Sequence, residues 1–306
     1  MNILLRAGRL AFTLWLVTTA VFFAMRISSD PTQYLVAPGA NEQLRAEVAN
    51  RLGLTHSSLY QYIQYLKHVA LGDFGVSYFS GRPVAEVFLE RLPTTLLLTV
   101  PSLIVAILIG VPVGIVCAVN HNGVIDRALL LVSFLSQATP AFVLGIGLIL
   151  LFCLWLNILP SGGVAGPASL ILPVLTLGTA IAASVARLTR NSMLEILRMP
   201  FMEFARSKGL PRATVILKHG LRNALIPIVT IIGLQLGGLI GGAVVVETVF
   251  AWPGAGSLLV DAVIRGDYPL LQFGILLVAT TITMANMLVD ESYRLLDPRI
   301  ATGRKR

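Results

Sequence analysis

Six stretches of this chain are apolar over a length that a bilayer-crossing helix requires: Leu10–Arg26, Thr95–Val119, Leu129–Trp155, Leu170–Leu188, Ile226–Phe250 and Leu271–Val289. A helix needs about 20 predominantly apolar residues to span a membrane, so each stretch is a candidate span. Backbone groups in lipid must be paired within the element or a closed barrel, and no ten-residue alternating strands occur. The expected fold is therefore all-α, a polytopic membrane protein with six transmembrane helices. Composition agrees, with 56% hydrophobic and 12% charged residues against about one quarter charged in soluble proteins. The first stretch follows Arg6 and Arg9 as a signal peptide would, but no small-x-small cleavage site stands near Arg26–Asp30, and it is read as an uncleaved span.

Orientation follows from the basic residues. With the N-terminus inside, sixteen of the 23 Lys and Arg fall on inner segments, eight of them between Arg187 and Arg222, and seven face nine acids outside. Both termini are thus expected in the cytoplasm. The net charge of +8 is a topology signal that calls for no nucleic-acid partner, and the tail Gly303–Arg306 suits anionic lipid headgroups. The organisation read from this pattern is a first helix with an outer segment over 1–94, a five-helix core over 95–290 with a cytoplasmic loop at 189–225, and a basic tail over 291–306.

Much chemistry is excluded. Cys117 and Cys153 lie inside apolar stretches and read as small hydrophobes, while His56, His68, His121 and His219 are scattered without metal-ligand spacing. None of Lys67, Lys208, Lys218 and Lys305 follows a glycine, so no phosphate-binding P-loop is present. The stretches hold no mid-membrane carboxylate of the kind that couples solute to ion movement; Glu247, Asp290, Glu291, Arg26 and Arg187 are placed near span ends, where long side chains snorkel. No nucleophile–base or metal pair marks an intramembrane enzyme.

The spans do hold a packing and bending vocabulary. Gly233, Gly237 and Gly241 recur at intervals of four, a small-residue ridge for close helix approach, and Pro101, Pro112, Pro140, Pro173 and Pro227 kink or delimit helices. Ser133, Ser136, Gln137, Thr139, Gln235 and Asn286 are uncharged polar groups within the spans; Ser136, Gln137, Gln235 and Asn286 are candidates to line a pathway for a hydrated solute.

Two outer segments carry further signals. Ser28–Pro93 contains an amphipathic run with Tyr60, Tyr62, Tyr65 and Phe74, read as a lid or surface helix. After Glu247, Trp252-Pro253-Gly254 forces a turn ahead of a short helix at Ser257–Arg265, and this turn is a candidate outer-rim contact for a partner; Trp252 and Tyr268 also read as plain interface anchors.

The inner loop is the most informative. Glu203 to Lys208 puts its acid first and its bases last, as the helix dipole favours, Gly209 supplies a turn and Pro211 stands near the next helix start. Phe201, Phe204 and Leu210 give this knob an apolar face ringed by charge, a docking surface rather than a purely solvated topology loop. The loop resembles the membrane permeases of ABC importers, whose Glu-Ala-Ala-x-x-x-Gly motif stands here as Glu203-Phe204-Ala205-x-x-x-Gly209, with Phe204 replacing the middle alanine and Leu225–Pro227 closing the motif. Further runs resemble the peptide/nickel branch: Gly72–Tyr78, Leu92–Thr99, Lys218–Pro227, Phe250–Ala262 and Asp267–Gln272. Ser29-Asp30-Pro31 and Leu52–Leu59 depart from the branch pattern.

The resemblance implies a type I ABC importer architecture in a bacterial cytoplasmic membrane. It implies a related second permease subunit, two cytoplasmic ATPases that bind ATP and magnesium, and an external solute-binding protein. This chain would hold no cofactor and would meet the ATPases through Phe201, Glu203, Phe204, Ala205, Gly209 and Leu210. The cargo expected from the branch is a small peptide, glutathione, nickel or a metal chelate. A secondary transporter or channel and a membrane scaffold are the readings of other classes.

Overall fold

A computed structural model describes residues 3–28, 30–36 and 41–296. The tail Gly303–Arg306 and the side chains of Asp290 and Glu291 lie outside the described residues, as does Gly237 of the glycine ridge. Among the described residues there is no strand, only an isolated bridge between Val76 and Pro83. The helices are α1 (Ile3–Ser28), α2 (Thr32–Leu35), α3 (Glu42–Arg51), α4 (Ser58–Ala70), α5 (Val84–Val119), α6 (Val124–Ala138), α7 (Ala141–Leu148), α8 (Ile171–Leu197), α9 (Pro200–Ser207), α10 (Arg212–Thr214), α11 (Arg222–Val249), α12 (Ala255–Arg265) and α13 (Tyr268–Leu296). Among the described residues, five helices are long and apolar enough to cross a membrane, and six if α6 and α7 with its π-helical extension to Trp155 count as one span.

That third span is the first correction. The run Leu129–Trp155 is not one helix: its two halves meet at 101° around Thr139 and Pro140. A residue before proline is driven from the helical to the extended region, and Thr139 sits at φ −81°, ψ 120°. The fifth span also starts earlier than its apolar run. Helix begins at Arg212, passes through a π-helical segment at Val215–Leu221 and continues with Pro227 inside α11.

Contacts divide the chain into two compact units, Met1–Thr95 with Pro253–Thr283, and Leu96–Trp252 with Met284–Arg306. The division is not the one expected from the hydropathy pattern, because α12 and most of α13 group with the outer segment instead of the core.

In the first unit, α3 and α4 are capped by their sequence signals: Leu44 N–H donates to Asn41 Oδ1 at 2.9 Å, and Tyr60 N–H to Ser57 Oγ at 3.4 Å. Tyr62 and Tyr65 turn inward onto Phe22 of α1, with ring centroids 5.2 and 5.5 Å away, and Phe74 meets Phe273 at 4.8 Å. Of the lid aromatics, Tyr60 alone is an exposed one, so most of that set anchors the lid to its own unit. Asp267 then caps α13 from inside. It accepts from Ser77 Oγ at 2.6 Å and from Tyr78 N–H at 3.2 Å, which ties the turn before Val84 to the start of the last helix.

In the second unit the core is Leu98, Leu172, Leu177, Val185, Leu239, Val246 and Phe250, contributed by α5, α8 and α11. Among its long helices, α5 and α8 approach closely. A Cβ built on Gly110 would stand 2.7 Å from the Ala182 carbonyl oxygen, and one on Gly114 would stand 2.5 Å from that of Ala186. The ridge expected in the fifth span, which also includes Gly238 and Gly242, is uneven: nothing lies within 4 Å of Gly241 and only Gln235 Oε1, at 3.8 Å, lies near Gly238, but a Cβ on Gly242 would stand 2.9 Å from Leu177 Cδ1. The small residues that bring these two backbones together are thus Gly110 and Gly114 on α5 and Gly178 on α8, whose Cβ would stand 2.9 Å from the Ser102 carbonyl oxygen. We expect Gly114→Val to lower the melting temperature of the detergent-solubilised permease, since overpacking costs about 1–3 kcal/mol even where side chains can move, and here the obstacle is backbone. Gly241→Ala, with open space around it, is the control that should leave the melting curve in place.

Candidate functional site

The knob at the end of α8 is built by its punctuation. Arg198 closes α8, Met199 is extended at φ −70°, ψ 144°, and Pro200 opens α9 at a position where its missing N–H is no loss. Glu203 lies in the first turn and Arg206 in the last, both aligned with the dipole. Gly209 then takes φ 70°, a left-handed turn that lets Leu210 and Pro211 lead into α10.

The helix is amphipathic in a specific way. Met202 is fully buried and Ala205 is 7% exposed, both packed with Val215 and supported by Ile196 and Leu197. On the other side Phe201 and Phe204 are 43% and 62% exposed, and Leu210, past the end of the helix, is 37% exposed. Lys208 holds its ammonium 4.5 Å from the centre of the Phe204 ring, and Glu203 faces out. Ala205 is therefore corrected from a docking contact to a packing residue: a helix of two turns has one inner stripe, and Ala205 shares it with Met202. Beneath the knob a cavity of about 500 Å³ is walled by Leu194, Leu197, Val215 and Ile216, with Arg198, Arg206 and Arg212 at its edge.

The outer-rim candidates fare unevenly. Trp252 is 1% exposed, belongs to the core of the second unit and donates its N–H to the Glu247 carbonyl at 2.7 Å. It is neither an interface anchor nor a surface contact, because the left-handed residue Ala251, at φ 47°, turns the chain back and drives the indole inward. Pro253 is half-buried and Gly254 buried. The Pro253 carbonyl accepts from Arg91, and Ala255 N–H donates to Thr95 Oγ1 at 2.8 Å, so this turn is held to α5 within the first unit. Tyr268, likewise read as an anchor, is 2% exposed and donates to the Met25 carbonyl.

Among the pathway candidates, Gln137 is exposed and donates to Ser184 Oγ at 2.9 Å, while Ser136 reaches the Thr179 carbonyl at 3.4 Å, so α6 presents polar groups to one face of α8. Gln235 is half-buried and Asn286 exposed. Ser133 and Thr139 do not join them, since each returns its hydroxyl to a carbonyl of its own helix.

Two ionisable groups of the span ends differ in where the helices place them. Glu247 is fully buried on α11, and Arg187 sits ten residues before the end of α8, its guanidinium 5.4 Å from the Phe134 ring. Glu247 lies in the last turn of α11, near the span end as expected, whereas α8 continues nine residues beyond the apolar run that stops at Leu188. The largest feature absent from the sequence reading is an ion pair at the first turn of α6. Asp126, 1% exposed, accepts from Arg190 Nε and Nη2 at 2.7 Å each and from Asn122 N–H at 2.9 Å, and Arg190 Nη2 also lies 3.1 Å from His121 Nδ1. Nothing local signals a pairing across 64 residues; the only hint is a carboxylate in a helix first turn beside an otherwise basic inner surface.

The family model for the binding-protein-dependent transport system inner membrane component matches residues 110–302. The glutathione transport system permease protein GsiC of Escherichia coli (strain K12) is 42% identical over 289 residues, 94% of each chain. The same-named protein of Salmonella choleraesuis (strain SC-B67) is 43% identical over 289 residues, again 94% of each chain. Among solved structures, an inward-facing MetNI methionine ABC transporter aligns with TM-score 0.61 and 21% identity over 70% of this chain and 98% of that one. An amino acid ABC transporter solved with histidines aligns with TM-score 0.52 and 18% identity, over 70% and 94%. At these identities the two structures speak for the fold.

Proposed function

We propose, starting from the fact that this chain belongs to the family of binding-protein-dependent transport system inner membrane components, that it carries small peptides across the bacterial cytoplasmic membrane in an assembly driven by ATP. It is the permease of an ABC importer, a multi-pass membrane subunit that is not itself catalytic. In our reading it pairs with a related second permease, rests on two ATPases that hold ATP and magnesium, and receives solute from an external binding protein. Both its termini face the cytoplasm.

The observation that carries this reading is the split character of α9. One stripe locks Met202 and Ala205 to Val215, and the other offers Phe201 and Phe204, with Leu210 partly exposed just past the Gly209 turn. A helix anchored on one side and apolar on the other transmits a push without deforming, which a solvated topology loop has no need to do. The basic stretch raised by the sequence thus serves two ends, orientation through its charge and docking through its aromatic face.

For cargo, relatives named for glutathione, itself a tripeptide, favour peptide over nickel or a metal chelate. Reconstitution tests both parts. Proteoliposomes holding the two permeases, the ATPases and the binding protein are expected to take up labelled di- and tripeptides with ATP and to show no uptake without the ATPases. ATPase-independent uptake would establish a channel or secondary carrier, and nickel uptake without peptide uptake would reverse the cargo assignment.

A further inference from the structure

The first unit holds an open cavity of about 380 Å³, remote in sequence from the knob and walled by α1, α4, the turn around Asp73 and the start of α13. Arg26 lines it from the last turn of α1. The guanidinium carbon lies 3.4 Å from the Phe22 ring centre and 5.6 Å from that of Tyr268, and Nε donates to Gln61 Oε1 at 2.9 Å. Gln61 is itself fixed, donating to the carbonyls of Leu54 and His56. Arg26 is therefore held in place by groups that carry no charge, and it makes no ion pair among the described residues. The nearby phenols do not supply one. Burial pushes Tyr65 and Tyr78 up to about 12, so both stay neutral donors.

A second group points to the same missing partner. Gln272, one turn beyond Tyr268 on α13, also lines the cavity; it is 7% exposed and its amide nitrogen has no hydrogen-bond partner among the described residues. A partly buried guanidinium without a carboxylate and a buried amide donor without an acceptor are both unfavourable. One chemical group answers both, a planar anion that accepts several hydrogen bonds. Asp73 narrows the choice. Its carboxylate, held below the usual range first by the Gly75 N–H and then by His68, leaves a negative charge on the cavity wall. A polyanion is repelled there, and a single carboxylate with a neutral or cationic remainder is not. His56, His68 and Tyr60 are the other titratable groups on the wall.

We propose that this cavity binds a small monocarboxylate through Arg26 and Gln272, and that its natural occupant is the free C-terminus of a peptide. The carboxylate follows from the cavity, whereas the peptide rests on the cargo reading above.

The test uses the assembled permease pair in neutral-lipid nanodiscs, without ATPases or binding protein, titrated with alanyl-phenylalanine, its C-terminal amide and 4-phenylbutyrate. The acid dipeptide should bind at least tenfold more tightly than the amide. Arg26→Gln should erase that preference, Arg26→Lys should retain part of it, and Gln272→Leu should weaken the acid several-fold. ATPase association through α9 in each variant establishes that it is folded. Equal binding of acid and amide, or a preference that survives Arg26→Gln, overturns the proposal. So does loss of dipeptide binding when phosphatidylglycerol is added, which would assign Arg26 to a lipid phosphate. Phenylbutyrate separates the two readings: Arg26-dependent binding of phenylbutyrate by a transporter that imports no peptide supports the site and overturns the cargo.

Discussion

Gly209→Val is expected to give a permease that inserts and pairs with its partner but shows an ATP-driven uptake reduced at least tenfold. The residue turns the chain between α9 and α10 at φ 70°, where a β-branched side chain costs about 1–2 kcal/mol in the backbone alone. Within the chain there is room, since nothing lies within 4 Å of a Cβ built there. The penalty inside the free subunit is therefore conformational, and it falls on the turn that sets the angle of Phe204 and Leu210. Gly209→Asn separates the two ways in which activity can be lost, because asparagine tolerates the left-handed region yet adds bulk. Recovery with Asn would make the turn geometry the sensitive quantity; failure with both would place a docked surface against this position. Normal ATPase association and uptake by the valine variant would remove the knob from the coupling path altogether.

How far the sequence reaches is visible at this same loop. Pro200, Gly209 and Pro211 are punctuation with one conformational meaning each, so the short helix and its turn were legible. The stripe that buries Ala205 was not, because family motifs give residue identity without the facing of a two-turn helix. Apolar run length placed the spans but missed where helices begin and end. Glu86, Glu90 and Arg91 lower hydropathy without opposing helix, so α5 starts at Val84 and not at Thr95. Pro140 was read as a kink or a helix limit, and the structure makes it a limit: Thr139 leaves the helical region and the two halves meet at 101°. Trp252 illustrates the opposite limit. A Trp-Pro-Gly turn reads as a surface feature, and only the left-handed Ala251 before it shows that the ring points to the core. For the candidate site, residues close in sequence were found and those joined across helices were not, Asp126 with Arg190 among them.

The second large effect is expected at that long-range pair. Asp126 and Arg190 are 1% and 14% exposed at the side chain, and Arg190 stands two turns before α8 ends and the knob begins. The pair, with Asn122 N–H and His121 around it, ties the α5–α6 turn to the helix that carries α9. Removing one partner leaves the other charge buried without compensation, at a cost of about 3–5 kcal/mol, whereas removing both and filling the space can be close to neutral. Asp126→Ala should therefore lower the yield and melting temperature of the solubilised permease sharply, and Asp126→Leu combined with Arg190→Leu should recover much of the loss in stability. Transport should not recover with it if the pair couples α8 to the turn, because the apolar replacement restores packing and not the directional tie of two parallel hydrogen bonds. A double variant that regains both stability and uptake would reduce the pair to a packing detail. One that stays as unstable as Asp126→Ala would show that the ion pair itself stabilises the fold, beyond avoiding an isolated charge.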